Sequence, residues 1–194
     1  NDRDPDTAAS TVADIVAGDG TASAHVGDVS SSAYVDDLVA SAVERHGRLD
    51  IVFANAGITS GPGFELSPDG TIDAMDLTLF QRAIELNLTA TFMTIRFAAA
   101  HMKRQRNGSI IATASIAGIR SDPLVGYGYV AAKAAVGNIV RHAAVDLAPY
   151  NVRVNALAPG YIVTEINRAF LETGTAGERM KQRIPQRRFG TPED

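Results

Sequence analysis

Two tyrosines and one lysine share the short stretch Gly126-Tyr-Gly-Tyr-Val-Ala-Ala-Lys133. A phenol ordinarily ionises near pH 10, so it moves protons at neutral pH only where its surroundings help. Tyr129 and Lys133 stand four apart, which on a helix puts them on one face, one turn apart. Tyr127 has Ala131 at the same offset. An ammonium beside Tyr129 would favour the phenolate and draw its pKa toward neutrality. Tyr129 is therefore the candidate proton carrier, although the same spacing also occurs on solvated helix faces. Ser115 closes the apolar run Gly108-Ser-Ile-Ile-Ala-Thr-Ala114. A hydroxyl at a strand end can reach over a sheet edge and hold a carbonyl oxygen near that proton, or it can simply cap the next turn. Asn87 falls inside a long helical pattern, where its amide competes for backbone hydrogen bonds. There it either kinks the helix and holds a water, or is a tolerated polar position.

The elements that must position these groups alternate along the chain. Residues 7–18 read as a helix stopped by Gly18, and 22–26 as a short strand ending near Asp28. Residues 32–47 read as a second helix, opened by serines and closed by Gly47. The unbroken apolar runs at 49–54 and 108–114 are expected of parallel strands covered on both faces. A turn-rich loop follows the first of these runs. Long helices are expected from Leu79 to Arg104 and over 127–148, a further strand over 151–158 halted by Pro159-Gly160, and short helices from Thr164 to Arg188. This alternation predicts an α/β fold, a doubly wound parallel sheet with helices on both faces, in one domain over 1–194. Ligands in such sheets sit at the carboxyl ends of the strands. Those ends are Asp28, Asn55-Ala56-Gly57, Ser115 and Pro159-Gly160.

Bulk properties narrow the classes. The chain has 194 residues, 45% hydrophobic and 21% charged, with a net charge of −4. That balance offers no basic face for a nucleic acid. No apolar run has membrane-spanning length, and a cytoplasmic protein is expected. There are no cysteines, hence no disulfide framework and no Cys-type zinc site, and the four histidines form no HExxH pattern. No metal is expected.

Together, Ile111-Ala-Thr-Ala-Ser-Ile-Ala-Gly118, Tyr129-Val-Ala-Ala-Lys133, the upstream Asn55-Ala-Gly57 and the downstream Val152-Arg-Val-Asn-Ala-Leu-Ala-Pro-Gly-Tyr-Ile-Val-Thr164 resemble the short-chain dehydrogenase/reductase family. Ser115 precedes Tyr129 by one residue more than is usual there. The resemblance implies a Rossmann-like fold and hydride transfer between nicotinamide and a secondary alcohol or ketone. It casts Tyr129 as general acid/base, Lys133 as its partner and a ribose ligand, Ser115 as the holder of the substrate oxygen, and Asn87 as the holder of a relay water. It places Asp28 and Val29 beside the adenine, Asn55, Ala56 and Gly57 along the adenosine side, and Pro159, Gly160 and Thr164 at the nicotinamide end. It also implies a homo-oligomer, dimer or tetramer.

The family opens with a strand and a TGxxxGxG turn, and neither is found here. The start at Asn1-Asp-Arg-Asp and the close at Gly190-Thr-Pro-Glu-Asp194 therefore lead us to expect a fragment, lacking that strand-turn and a final strand. Asp2 then matches the family's acidic residue that binds the adenosine ribose, which favours NAD, while the neighbouring Arg3 keeps NADP possible. The loop 59–76 and the tail 165–188 are expected to shape the pocket for a small alcohol or ketone. Two alternatives are a catalytically silent dinucleotide-binding sensor or scaffold, and an epimerase or dehydratase of nucleotide sugars.

Overall fold

The computed structural model describes residues 1–59, 61–164, 167–172 and 174–194. They form two compact units, Asn1–Leu157 and Ala158–Asp194.

In the first unit, helix α1 (Pro5–Ala17) starts earlier than the apolar periodicity suggests. The cause is local: Asp4 caps the helix by accepting from the Asp6 N–H, and Pro5 occupies the first turn, where its missing N–H costs nothing. Helix α2 (Ser32–His46) is capped by Ser31 at its start and Gly47 at its end, as its sequence predicts. The strand expected over 22–26 is reduced to a single parallel bridge between Asp2 and Val26. One hydrogen bond, from the Gly27 N–H to the Asp2 carbonyl, holds it.

The sheet consists of β1 (Ile51–Ala54), β2 (Gly108–Thr113) and β3 (Val152–Leu157), all parallel in the order β1-β2-β3. Register and pleat sort their residues onto two faces. Val52, Ile110 and Val154 align in one row and Ala54, Ala112 and Ala156 in the next. Apart from the exposed Ala156, this face packs on Ile95, Ala98, Met102, Val136, Val140 and Leu147 to form the core. The opposite face carries Ile51 and Phe53, which are 66% and 53% exposed. Burial on both faces, expected from the apolar run, is thus met on one side of β1 only.

The single long helix expected over 79–104 is divided. Helix α3 (Leu77–Ile84) passes through a π turn (Glu85–Thr89) into helix α4 (Ala90–Gln105). Helix α5 (Tyr127–Leu147) is continuous. Between β2 and α5, Ile116–Gly118 makes one 3-10 turn.

The second unit contains helices α6 (Arg168–Glu172) and α7 (Gly174–Gln182), in keeping with the short helices expected there. Segment 161–163 pairs with Gly190 through Val163 N–H to Gly190 O (2.9 Å) and Gly190 N–H to Tyr161 O (2.9 Å).

Candidate active site

Asn87 sits in the middle of the π turn and is fully buried, at 0% exposure. Its side-chain Nδ2 donates to the Ala83 carbonyl at 3.1 Å. An α-helix would assign that acceptor to the residue's own N–H, so the amide competes with the ladder and the turn widens. The same Nδ2 donates to Ile58 O at 2.9 Å, and Oδ1 accepts from Ile58 N–H at 3.2 Å. Asn87 therefore clamps the loop after β1 to the π turn. Of the two sequence alternatives, the helix distortion is what forms.

Gly57, in that loop, is required by close approach. A Cβ there would lie 2.5 Å from Asn87 Oδ1 and 3.7 Å from Lys133 Nζ. Lys133 itself is only 4% exposed. Its Nζ donates to the Thr113 carbonyl at 2.7 Å. Thr113 Oγ1 in turn donates to Asn55 Oδ1 at 2.7 Å. Thr113, at the last position of β2, ties two expected site residues together, and nothing in the sequence pattern marked it except its place at a strand end.

Gly118 is a second residue the sequence reading passed over. A Cβ at this position would meet the Lys133 carbonyl carbon at 2.5 Å and the Ala134 nitrogen at 2.7 Å. The 3-10 turn that follows Ser115 thus lies directly on the α5 backbone. Ser115 Oγ caps that turn, accepting from Ala117 N–H at 3.1 Å, and also hydrogen-bonds the Tyr129 side chain. The capping role and the substrate-facing role are not exclusive: one hydroxyl has a donor and two acceptor sites.

The Lys133 ammonium lies over the Tyr129 ring, 5.5 Å from its centre. Burial lowers the Lys133 pKa to about 8. Burial also raises the Tyr129 pKa; the Ser115 hydrogen bond opposes this and the charge of Asp122 adds to it. The expected pull toward neutrality is therefore overturned in this structure. A phenol taken out of water resists ionisation.

Asp2, Asp28, Val29, Asn55, Ala56 and Gly57 line one cleft of about 340 Å³. Asp2 and Asp28 stand together because of the Asp2–Val26 bridge. Each fixes its carboxylate on its own turn: Asp2 Oδ1 accepts from Asp4 N–H at 2.9 Å, and Asp28 Oδ1 from Ser30 N–H at 2.8 Å. The Ser30 backbone N–H is the largest cause holding the Asp28 pKa low, followed by the Ser30 hydroxyl, with Arg82 and Arg3 adding to it. Small residues at Gly27, Ala56 and Gly57 leave room for a flat ring, and two carboxylates suit ribose hydroxyls or an exocyclic amine. The donor set thus fits the adenosine half of a dinucleotide. Pro159, Gly160 and Thr164 belong to the second unit, where Thr164 N–H donates to Asn167 Oδ1 at 2.8 Å. Ser60 and Glu165 lie outside the described residues.

All of residues 1–194 match the sequence model of the family described as Enoyl-(Acyl carrier protein) reductase. The chain is 35% identical over 188 residues to L-rhamnose 1-dehydrogenase (NAD(P)(+)) of Azotobacter vinelandii, covering 96% of this chain and 70% of that protein. The chain belongs to the short-chain dehydrogenase/reductase family. Within this family of NAD(P)-dependent oxidoreductases it is also 39% identical over 158 residues to cyclohexanol dehydrogenase of Rhodococcus sp., 80% of this chain and 56% of that protein. The crystal structure of NAD+-bound xylitol dehydrogenase superposes with a TM-score of 0.87 at 27% identity, covering 97% of this chain and 75% of that one. The chain thus spans between about half and three quarters of the length of these family members. The Rossmann-like doubly wound fold is the family's fold. Among the described residues no helix is long and apolar enough to cross a membrane.

Proposed function

We propose that the protein oxidises a secondary alcohol, or reduces the matching ketone, with a nicotinamide dinucleotide and with Tyr129 as general acid/base. The reading rests on one observation above all: Ser115, Tyr129, Lys133 and Asn87 converge where β2, the π turn and α5 meet. The dinucleotide supplies or accepts the hydride when bound. The protein's part is to hold the substrate oxygen between the Ser115 and Tyr129 hydroxyls and to move one proton at Tyr129 Oη. In reduction, the phenolic O–H bond breaks as the substrate oxygen gains its proton; in oxidation the same transfer runs backwards. Lys133 holds the ribose and the electrostatic balance, and Asn87 keeps Gly57 against Lys133 and takes the relay-water role.

The cleft containing Asp2, Asp28, Val29, Asn55, Ala56 and Gly57 takes the adenosine half, and Pro159, Gly160 and Thr164 serve the nicotinamide end. Asp2 favours NAD, with NADP possible beside Arg3. The named relatives act on a sugar and a cyclic alcohol, which supports a small hydroxylated or cyclic substrate. We treat 1–194 as part of a single catalytic domain and place the protein in the cytoplasm, where the reaction draws on the dinucleotide pool. The groove between α4 and α5, with exposed Phe92 and Val145 on its walls, supports a homotetramer built through these helices.

Screening secondary alcohols with NAD and NADP for reduced-dinucleotide absorbance tests this function. Tyr129→Phe is expected to lower kcat/KM at least a hundredfold, the usual weight of a positioned proton donor. An unchanged rate would remove Tyr129 from the chemistry. A protein that binds dinucleotide and oxidises nothing on the panel would favour the silent alternative.

A further inference from the structure

Two carboxylates stand together at the adenosine end, yet little backbone pairing holds them there. Asp2 and Asp28 lie on segments joined by the single bridge at Val26, with one hydrogen bond from Gly27 N–H to Asp2 O at 3.0 Å. Val26 is 46% exposed, and one hydrogen bond beside water contributes little net. The segment has a second hold, which comes from α2. Tyr34, in the first turn of that helix, reaches back over residues 25–27. Its hydroxyl donates to His25 O at 2.8 Å. Its ring fills the place a side chain would take at position 27: a Cβ on Gly27 would lie 2.2 Å from Tyr34 Cε2 and 2.3 Å from Cδ2. The His25 ring leans on Tyr34 with centroids 5.2 Å apart, and its Nε2 lies 3.1 Å from Asp37 Oδ2 on α2.

Tyr34 has a firm base for this hold. With Val29 and Phe97 it packs against buried Val35, Ala90 and Met93, where α2 meets α4. The chain between Asp28 and Tyr34 is a tight path: Ser31 N–H donates to Asp28 O at 3.0 Å, and Tyr34 N–H donates to Ser31 Oγ at 3.3 Å. The helix itself asks for no aromatic residue here, since its buried residues are Val35 and Val39 and an ordinary helix former would serve at position 34.

We propose that Tyr34 is a positioning residue for the adenosine half of the dinucleotide: its ring and hydroxyl fix residues 25–27 and so hold Asp28 beside Asp2. The proposal rests on the dinucleotide reading of that cleft and adds what keeps the cleft in shape. Gly27 and Asp28 line it, and Tyr34 acts through them from outside. Acceptors held in place bind a ribose without being gathered first; a loose pair must be ordered at each binding event. The proton end, built on Asn87, Thr113 and Lys133, shares none of these contacts.

Tyr34→Ala removes ring and hydroxyl; Tyr34→Phe keeps the ring alone. AMP is the probe, its affinity measured by calorimetry on the full chain. Tyr34→Ala is expected to weaken AMP about tenfold through lost preorganisation, and Tyr34→Phe about two- to fivefold, the weight of one hydrogen bond. Binding of nicotinamide mononucleotide should not change. With an oxidisable alcohol, KM for NAD should rise while kcat at saturating NAD stays constant. Gly27→Ala should weaken AMP in the parent and be tolerated beside Tyr34→Ala, where the space is vacant. AMP affinity unchanged in Tyr34→Ala, or in Tyr34→Phe should the alanine variant not fold, would overturn the proposal, even with a lower urea midpoint. Equal losses for AMP and nicotinamide mononucleotide would also overturn it, as would a Gly27→Ala effect that is the same in both backgrounds. A parent that does not bind AMP would refute the reading of the cleft, and Tyr34's role with it. AMP binding without any alcohol oxidation would strike only at the dehydrogenase reading, and the AMP affinities would still decide for Tyr34.

Discussion

Around Lys133, the polar groups are committed to one another across elements: buried Asn87 to Ile58 and Ala83, buried Lys133 to Thr113, and Thr113 to Asn55. Around Asp2 and Asp28, the carboxylates sit on their own turns at the lip of an open cleft, and the strand beneath them is a single bridge. The proton-handling end is thus fixed by long-range packing and the adenosine end by local turn chemistry. A proton donor must be placed to a fraction of an ångström, and only contacts between separate elements do that. A ribose needs hydrogen-bond acceptors in the right region, and an aspartate on a two-residue turn supplies one.

The strongest way to break the proton end is Lys133→Met. Loss of its charge should lower turnover by about 10² to 10⁴, measured as kcat/KM for the alcohol found in the screen. The same variant has a signature in stability. With its folded pKa near 8 and an ordinary value of 10.5, Lys133 is deprotonated in the native state while the unfolded chain still holds the proton. Stability on this account rises with pH across that window. Urea unfolding from pH 7.5 to 10.5 should show the rise in the parent and its loss in Lys133→Met. Tyr129, whose pKa is raised, acts in the opposite sense above pH 10.

Gly57→Ala tests how tightly the two ends are joined. Its Cβ would press on an amide held by three hydrogen bonds, so the clash cannot be relieved cheaply. Overpacking of this kind costs about 1–3 kcal/mol, and a lower urea midpoint with an unchanged slope would register it. A neutral result would mean the clamp is looser than the geometry implies.

The smallest effect belongs to the adenosine end. Asp2→Asn keeps the turn acceptor for Asp4 but removes the charge. The preference for NAD over NADP, as a ratio of kcat/KM values, should fall by about tenfold with the melting temperature nearly unchanged. A ratio that does not move would detach Asp2 from the ribose.

Much of this was legible in the residues. Apolar runs placed β1 and β2, the stop at Pro159-Gly160 placed β3, and the expected helix carrying Tyr129 and Lys133 is α5. The short strand near Val26 was not: among the described residues it makes a single bridge, to Asp2, where Gly27 N–H donates to the Asp2 carbonyl. The π turn at Asn87 was foreshadowed only as a possible distortion. Thr113 and Gly118 went unnoticed as site residues, since their importance comes from what other segments bring against them.

The sequence by itself determined which groups could carry a proton and on which elements they ride, because residue type and helical or strand period are local properties. Only the tertiary structure decided how those groups ionise. Burial and charge depend on neighbours that are distant along the chain, and here they push Tyr129 and Lys133 in directions their spacing alone does not reveal.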